Sequence, residues 1–252
     1  MRALSHLFAR VPYVGKPLWA ALCFCLLISV VVSVHEFGHL LVALAFGLPV
    51  QAYSIGFGPE LFGFDAGGIH WQLSSIPLGG YVSVDSAAVL AAPLWMKLTM
   101  LAAGPAINLA YLFGVMALLR RYADKTKYTF DLHFGGVLVW PFIVNAARAG
   151  SNGFVPLLWY TAVVSLDLAI FNILPIFPLD GGQMFMYTVT SFVDVGEATM
   201  AVVLIGIFIS FWLLGRIHSP AGRRLFGWLY RWLNVPNSPF DARSKQREDD
   251  TL

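Results

Sequence analysis

Charged residues are scarce in this chain of 252 residues: Asp, Glu, Lys and Arg together make up 12% of it, about half the share in an ordinary soluble domain. Hydrophobic residues reach 58% and the mean hydropathy is +0.71. A water-soluble globule of this size needs more polar surface than that, which excludes a soluble enzyme. The 16 Lys and Arg nearly cancel the 14 Asp and Glu, and a formal charge of +2 is no footprint for nucleic acid. Cysteine is nearly absent as well. Cys23 and Cys25 lie inside the apolar run from Ala20 to Leu27, where they read as small hydrophobes, neither a disulfide framework nor a metal pair. A cleavable signal peptide is not expected, because the first apolar run outlasts a signal core and ends without a small-residue cleavage site.

What the chain has instead is long hydrophobic runs. Four are apolar enough to span a bilayer: Leu18 to Phe46, Leu94 to Leu119, Pro156 to Ile176 and Ala198 to Leu214, the last near the lower limit of length. An even number of crossings puts both termini on one face. That face carries all but one of the 16 Lys and Arg, the exception being Lys97 at the edge of the second span. Basic residues mark the cytoplasmic side, so the termini are expected to be cytoplasmic.

The expected fold class is an all-α polytopic membrane protein of about four transmembrane helices, with a small membrane-associated β element between the first and second spans. Gly56, Gly58, Gly63, Gly67 and Gly68 punctuate that segment, and His70 to Ile76 and Tyr81 to Val84 suggest strands around the turn Pro77-Leu78-Gly79-Gly80. Residues 1–220 form the expected core. The connection from Arg120 to Val155 is too short for a further domain, and its part from Phe134 to Ala149 reads as an amphipathic or re-entrant piece. Over 221–240, Arg223, Arg224 and Arg231 alternate with Leu225, Phe226, Trp228 and Trp232, the pattern of an interfacial helix; 241–252 is expected to be a disordered tail.

The chemistry concentrates in the first span. His35-Glu36-Phe37-Gly38-His39 is an H-E-x-x-H sequence. On a helix, residues four apart share a face, so His35 and His39 can direct two imidazoles at one metal ion while Glu36 reaches a water on it. Two His and one carboxylate complete a catalytic zinc site with a position left for that water. Ionisable groups at mid-bilayer depth each cost on the order of 2.5–3.5 kcal/mol on insertion scales, so three within five positions demand a function.

Topology narrows the third ligand. His39 is seven residues before Phe46, about 10 Å inside the non-cytoplasmic surface. Asp131 and His133 lie on the opposite side, and Asp167 is thirteen residues before Asp180, about 20 Å deeper if helical. His70, Asp65, Asp85, Asp180, Asp194 and Glu197 are left. Asp180 stands out: Pro175 and Pro178 break the third span just before it, and irregular backbone at membrane depth is tolerated only beside protein or a wet cavity. Asn108, in Gly104-Pro105-Ala106-Ile107-Asn108 of the second span, could donate to an oxyanion or make an interhelical hydrogen bond.

The three motifs, His35 to His39, Gly104 to Asn108 and Asn172 to Gly182, in that order on successive spans, resemble the site-2 protease family of intramembrane zinc metalloproteases. Tyr53-Ser54-Ile55-Gly56-Phe57-Gly58 and Ile76-Pro77-Leu78-Gly79-Gly80-Tyr81-Val82 resemble its bacterial branch containing the regulator of sigma-E protease. The resemblance implies that His35, His39 and Asp180 bind Zn2+, that Glu36 is the catalytic glutamate, and that Asn108 assists substrate or transition-state binding. It implies a transmembrane protein or signal-peptide substrate, unwound so that it can add as a strand beside Pro77 to Val82, in a bacterial inner membrane. That branch carries PDZ domains between its second and third motifs; Arg120 to Val155 leaves no room for them, so selection would fall to another device such as an adaptor. Its active site opens to the cytoplasm, whereas the basic residues here put the zinc half on the other side. Two other classes are conceivable: an inactive relative that binds or chaperones membrane segments, and a transporter, for which no inverted repeat is visible.

Overall fold

The structure is a computed structural model that describes residues 15–122, 154–193 and 199–217, with isolated positions among 143–151, at 196 and at 224. In chain order the elements are α1 (Gly15–Ala45), β1 (Val50–Ala66), β2 (Ile69–Val84), α2 (Ser86–Ala91), α3 (Leu94–Tyr122), α4 (Phe154–Ile173), α5 (Asp180–Thr190) and α6 (Thr199–Ile217). Asp131, His133, Asp194, Glu197, the tail and all but Arg224 of the expected interfacial helix of 221–240 lie outside the described residues, as does most of the Phe134 to Ala149 stretch.

Among the described residues, three helices have the length and composition to cross a membrane, over Leu18–Ala45, Leu94–Leu119 and Phe154–Ile173. The fourth expected span falls in α6, whose apolar part over Thr199–Leu213 is shorter, while the whole helix has 19 residues, a rise of about 28 Å. The faces are sorted as a bilayer requires. Along α1, Cys23, Leu27, Val31, His35 and His39 form a buried stripe at intervals of four, while Leu18, Leu22, Leu26, Leu41 and Leu44 are exposed. Apolar side chains outside and histidines inside invert the arrangement of a helix in water.

Two compact units divide the chain. One draws its described residues from Met1–Phe24, Val115–Tyr160 and Phe211–Leu252, and within it Trp19 Nε1 donates to Ser151 Oγ at 3.1 Å. The other, Cys25–Gly114 with Thr161–Ser210, holds every residue of the site described below. There, α1 and α3 pack closely at Gly38, where an added Cβ would collide with the Ala103 carbonyl and with Ile107. The α3 helix runs uninterrupted through Pro105.

The β element is more elaborate than two short strands about Pro77. The chain reverses at Gly67-Gly68, whose φ values of 63° and 78° suit the two-residue turn favoured in hairpins. Register shifts then fold the hairpin back on itself. Tyr53, Ser54 and Ile55 pair on one side with Val82, Tyr81 and Gly80, and on the other with Trp71, Gln72 and Leu73. The segment Gly80 to Val84 thereby becomes an edge. Buried Ser54 at the centre shares hydrogen bonds with Ser74 Oγ (3.0 Å) and Gln72 Nε2 (3.2 Å), satisfying polar groups that would be costly if left unpaired.

Two hydrogen bonds clamp this sheet to the first helix: Tyr53 Oη donates to the Ser33 carbonyl at 2.6 Å, and Ser29 Oγ to the Pro77 carbonyl at 2.9 Å. Ser29 lies 16 residues before the end of α1 at Ala45, about 24 Å along its axis. The Pro77 turn therefore sits beside the middle of α1. Around the other end, Leu40, Ala43, Val50, Tyr53, Ile69, Val89 and Met100 form one buried cluster from α1, both strands, α2 and α3.

Candidate metal and active site

Helical periodicity brings His35 and His39 to the same buried face of α1, with ring centroids 4.8 Å apart. Asp180 comes from far along the chain. The α4 helix ends at Ile173, Pro175 and Pro178 forbid its continuation, and α5 begins at Asp180. Gly181 has no room for a Cβ against the Ile173 carbonyl, which makes the turn tight enough to return Asp180 to α1. Asp180 Oδ2 then lies 2.9 Å from His35 Nε2 and 3.4 Å from His39 Nε2, and the two Nε2 atoms are 3.2 Å apart. Among the described residues this is the one grouping of three or more side chains that could hold a metal ion, and all three are buried.

The arrangement fits zinc on three counts. Atoms bound tetrahedrally at about 2.0–2.2 Å sit about 3.3 Å from one another, and the three observed separations bracket that value. His39 Nδ1 donates to the Met100 carbonyl at 2.8 Å; a carbonyl only accepts, so the neutral ring carries its proton on Nδ1 and keeps a lone pair on Nε2. Asp180 Oδ2, despite its nearness to both rings, is buried and accepts no hydrogen bond, as suits an oxygen whose partner is a cation. The space is kept open by Gly104 on α3, where a Cβ would sit 2.5 Å from His39 Nε2 and 2.6 Å from His35 Nε2.

Glu36 lines a cavity of about 460 Å³ together with His39 and Asp180. Its Oε2 accepts a hydrogen bond from the Val82 backbone N–H at 3.1 Å, so the edge segment of the sheet is held directly beside the glutamate. Val82, Val84, Val89, Leu90, Met100 and Leu101 supply apolar walls, with Ser86, Gln183 and Tyr187 as polar points. Lys97 donates to the Leu90 carbonyl at 2.8 Å and stands over the Tyr187 ring at 5.2 Å, bracing two sides of this cavity.

The other acids and histidines weighed as ligands are placed elsewhere. Asp85 caps α2, accepting from Ala88 N at 2.7 Å. His70 is bound on both ring nitrogens, to Glu60 Oε2 and Asp65 Oδ1, each at 2.8 Å, an arrangement that requires the charged imidazolium because both nitrogens must donate. Its pKa is accordingly raised above 6.5 by the hydrogen bonds to Glu60 and Asp65. Asp167 is buried in α4. Asn108 is fully buried with its amide 3.1 Å from His35 Nδ1, and it is not part of the cavity wall. Sequence reasoning missed the Met100 carbonyl and the Val82 N–H, which are backbone groups with no residue-type signal. Gly104, too, carries no signal of its role in the sequence.

Long apolar helices around a buried cluster of two histidines and an aspartate define the class: an integral membrane protein with a site of metal-ligand chemistry. The model of peptidase family M50 matches residues 23–213, well over half of the chain, and the chain belongs to that family. Curated relatives include proteins whose names assign them, provisionally, as zinc metalloproteases. One from Brucella suis is 39% identical over 117 residues, 37% of this chain and 31% of that protein. Another, from Agrobacterium fabrum, is 40% identical over 119 residues, 38% of this chain and 32% of its own length. A third, from Mesorhizobium japonicum, is 58% identical over 60 residues, 23% of this chain and 16% of its own. The match thus covers a third or less of each of these relatives.

Proposed function

We propose that this protein is a zinc metalloendopeptidase of the site-2 type that hydrolyses peptide bonds within or near transmembrane or signal-peptide segments. The observation that carries the proposal is the convergence of His35, His39 and Asp180, with Glu36 beside them, inside apolar helices. His35, His39 and Asp180 would hold the metal. Bound zinc supplies Lewis acidity that brings the pKa of water toward neutrality and polarises a carbonyl. Glu36 takes the proton from that water and passes it to the leaving amine, the Val82 N–H fixing one of its oxygens meanwhile. Apart from the Val82 N–H, which Glu36 holds, the edge segment Gly80 to Val84 offers backbone to an extended substrate, and the apolar walls of the cavity suit an aliphatic side chain from it. A helical substrate must unwind to be cut, because its own hydrogen bonds shield its peptide groups.

The topology belongs to the proposal: α6, with 19 residues and a rise of about 28 Å, crosses as a fourth span, both termini face the cytoplasm, and the site opens on the far side of the inner membrane. Glu36→Gln tests the activity. The variant is expected to keep its metal and to lose cleavage of a co-expressed membrane substrate by 10²-fold or more, the order that general acid–base catalysis contributes; undiminished cleavage would exclude Glu36 from the reaction.

A further inference from the structure

We infer, resting on the metal-site reading above, that Asn108 is a positioning residue for His35: its side-chain oxygen accepts a hydrogen bond from His35 Nδ1–H and thereby leaves the Nε2 lone pair free for the metal. The amide of Asn108 is 3.1 Å from His35 Nδ1 through the atom placed as Nδ2, while the other end, Oδ1, is buried without any hydrogen-bond donor. The two ends of an amide have the same shape, so chemistry decides which is which. With nitrogen toward His35, Nδ1 must be the acceptor, and the neutral ring carries its proton on Nε2. That proton would occupy the position from which Nε2 faces Asp180 Oδ2 at 2.9 Å and His39 Nε2 at 3.2 Å, and Nε2 could not be a ligand.

With the amide reversed, the donorless oxygen gains the Nδ1 proton and Nε2 regains its lone pair. Both histidines are then set by one device, a carbonyl accepting from Nδ1: the Met100 backbone carbonyl for His39, the Asn108 side-chain carbonyl for His35. Asn108 is well placed for this. It is fully buried, and its own backbone carbonyl accepts from Ser165 Oγ of α4 at 3.1 Å, which ties the α3 segment in place. It does not line the cavity that Glu36, His39 and Asp180 share, which favours an orienting role over direct contact with substrate.

The test is zinc affinity of the full-length protein in detergent, measured by chelator competition for wild type, Asn108→Leu and Asn108→Asp. Loss of an outer partner of a metal-bound histidine costs about 10–100-fold in metal affinity, so Asn108→Leu is expected to bind zinc that much more weakly. Asn108→Asp, which keeps an acceptor, is expected to restore affinity to near the wild-type value. Equal zinc affinity in wild type and Asn108→Leu, with only turnover reduced, would overturn the orienting role in favour of substrate contact. A wild type that binds no zinc would instead overturn the metal site itself. Should Asn108→Leu not fold, the ¹⁵N spectrum of histidine-labelled, metal-free wild type decides the matter: a protonated Nδ1 on His35 supports the inference, and a protonated Nε2 refutes it.

Discussion

Gly104→Ala offers a sharp steric test of the site, because the expected effect has the opposite sign to the ordinary one. In a helix interior, Gly→Ala usually stabilises by about 1 kcal/mol. At Gly104 the new Cβ would lie 2.5 Å from His39 Nε2 and 2.6 Å from His35 Nε2, nearly an ångström inside the 3.4 Å at which ordinary contact begins. Neither ring can yield freely, since His39 is bound to the Met100 carbonyl and His35 to the Asn108 amide. Displacing an oriented group by about 1 Å costs on the order of 10²-fold, or about 2.7 kcal/mol at 1.36 kcal/mol per tenfold. Zinc affinity, read by chelator competition on detergent-solubilised protein, should therefore fall about 100-fold. Gly114→Ala on the same helix is the control, as nothing lies within 4 Å of its Cβ position, and it should bind zinc like wild type. Equal affinity in Gly104→Ala and Gly114→Ala would refute the claim that Gly104 keeps the space for the metal.

Two predictions concern the β element. The raised pKa of His70 means that the charged ring stabilises the fold of its arm; that contribution is complete below the ordinary value near 6.5 and is lost as pH rises through the raised folded-state value. Amide exchange in residues 60–70 should accelerate over that rise, and His70→Gln should abolish the dependence; exchange that slows over the same interval would contradict the ion pairs. The Tyr53 hydroxyl, pushed up to about 12 by burial and by the nearby Glu36 charge, stays protonated and donates to Ser33. Tyr53→Phe should lower stability by about 1 kcal/mol, seen as a reduced unfolding midpoint, with metal content unchanged; loss of the metal would mean that the sheet clamp reaches the site.

Much of the site was legible because its chemistry is carried by side chains in helical register. H-E-x-x-H places two imidazoles on one face by geometry alone, and the proline-broken end of α4 singled out Asp180 among six candidates. The long spans were legible from composition. What stayed hidden depends on backbone and on pairing at a distance. The Met100 carbonyl and the Val82 N–H exist in every residue type, so no letter announces them. The turn at Pro77-Leu78-Gly79-Gly80 was legible, since Trp71 to Leu73 and Gly80 to Val82 pair with Tyr53 to Ile55 in opposite directions, but the further reversal at Gly67-Gly68 and the bond of the Pro77 carbonyl to Ser29 were not. Asn108 could be placed on the correct helix half, but its partner could be known only once α1 and α3 were packed.

The most direct measurement of the central claim is a zinc-edge X-ray absorption spectrum of the purified, full-length protein. Ligation by His35, His39 and Asp180 predicts a first shell of two imidazole nitrogens at about 2.0–2.1 Å with oxygen at about 2.0–2.2 Å and no sulfur. A sulfur scatterer near 2.3 Å, which would implicate Cys23 or Cys25, or the absence of bound zinc, would contradict it.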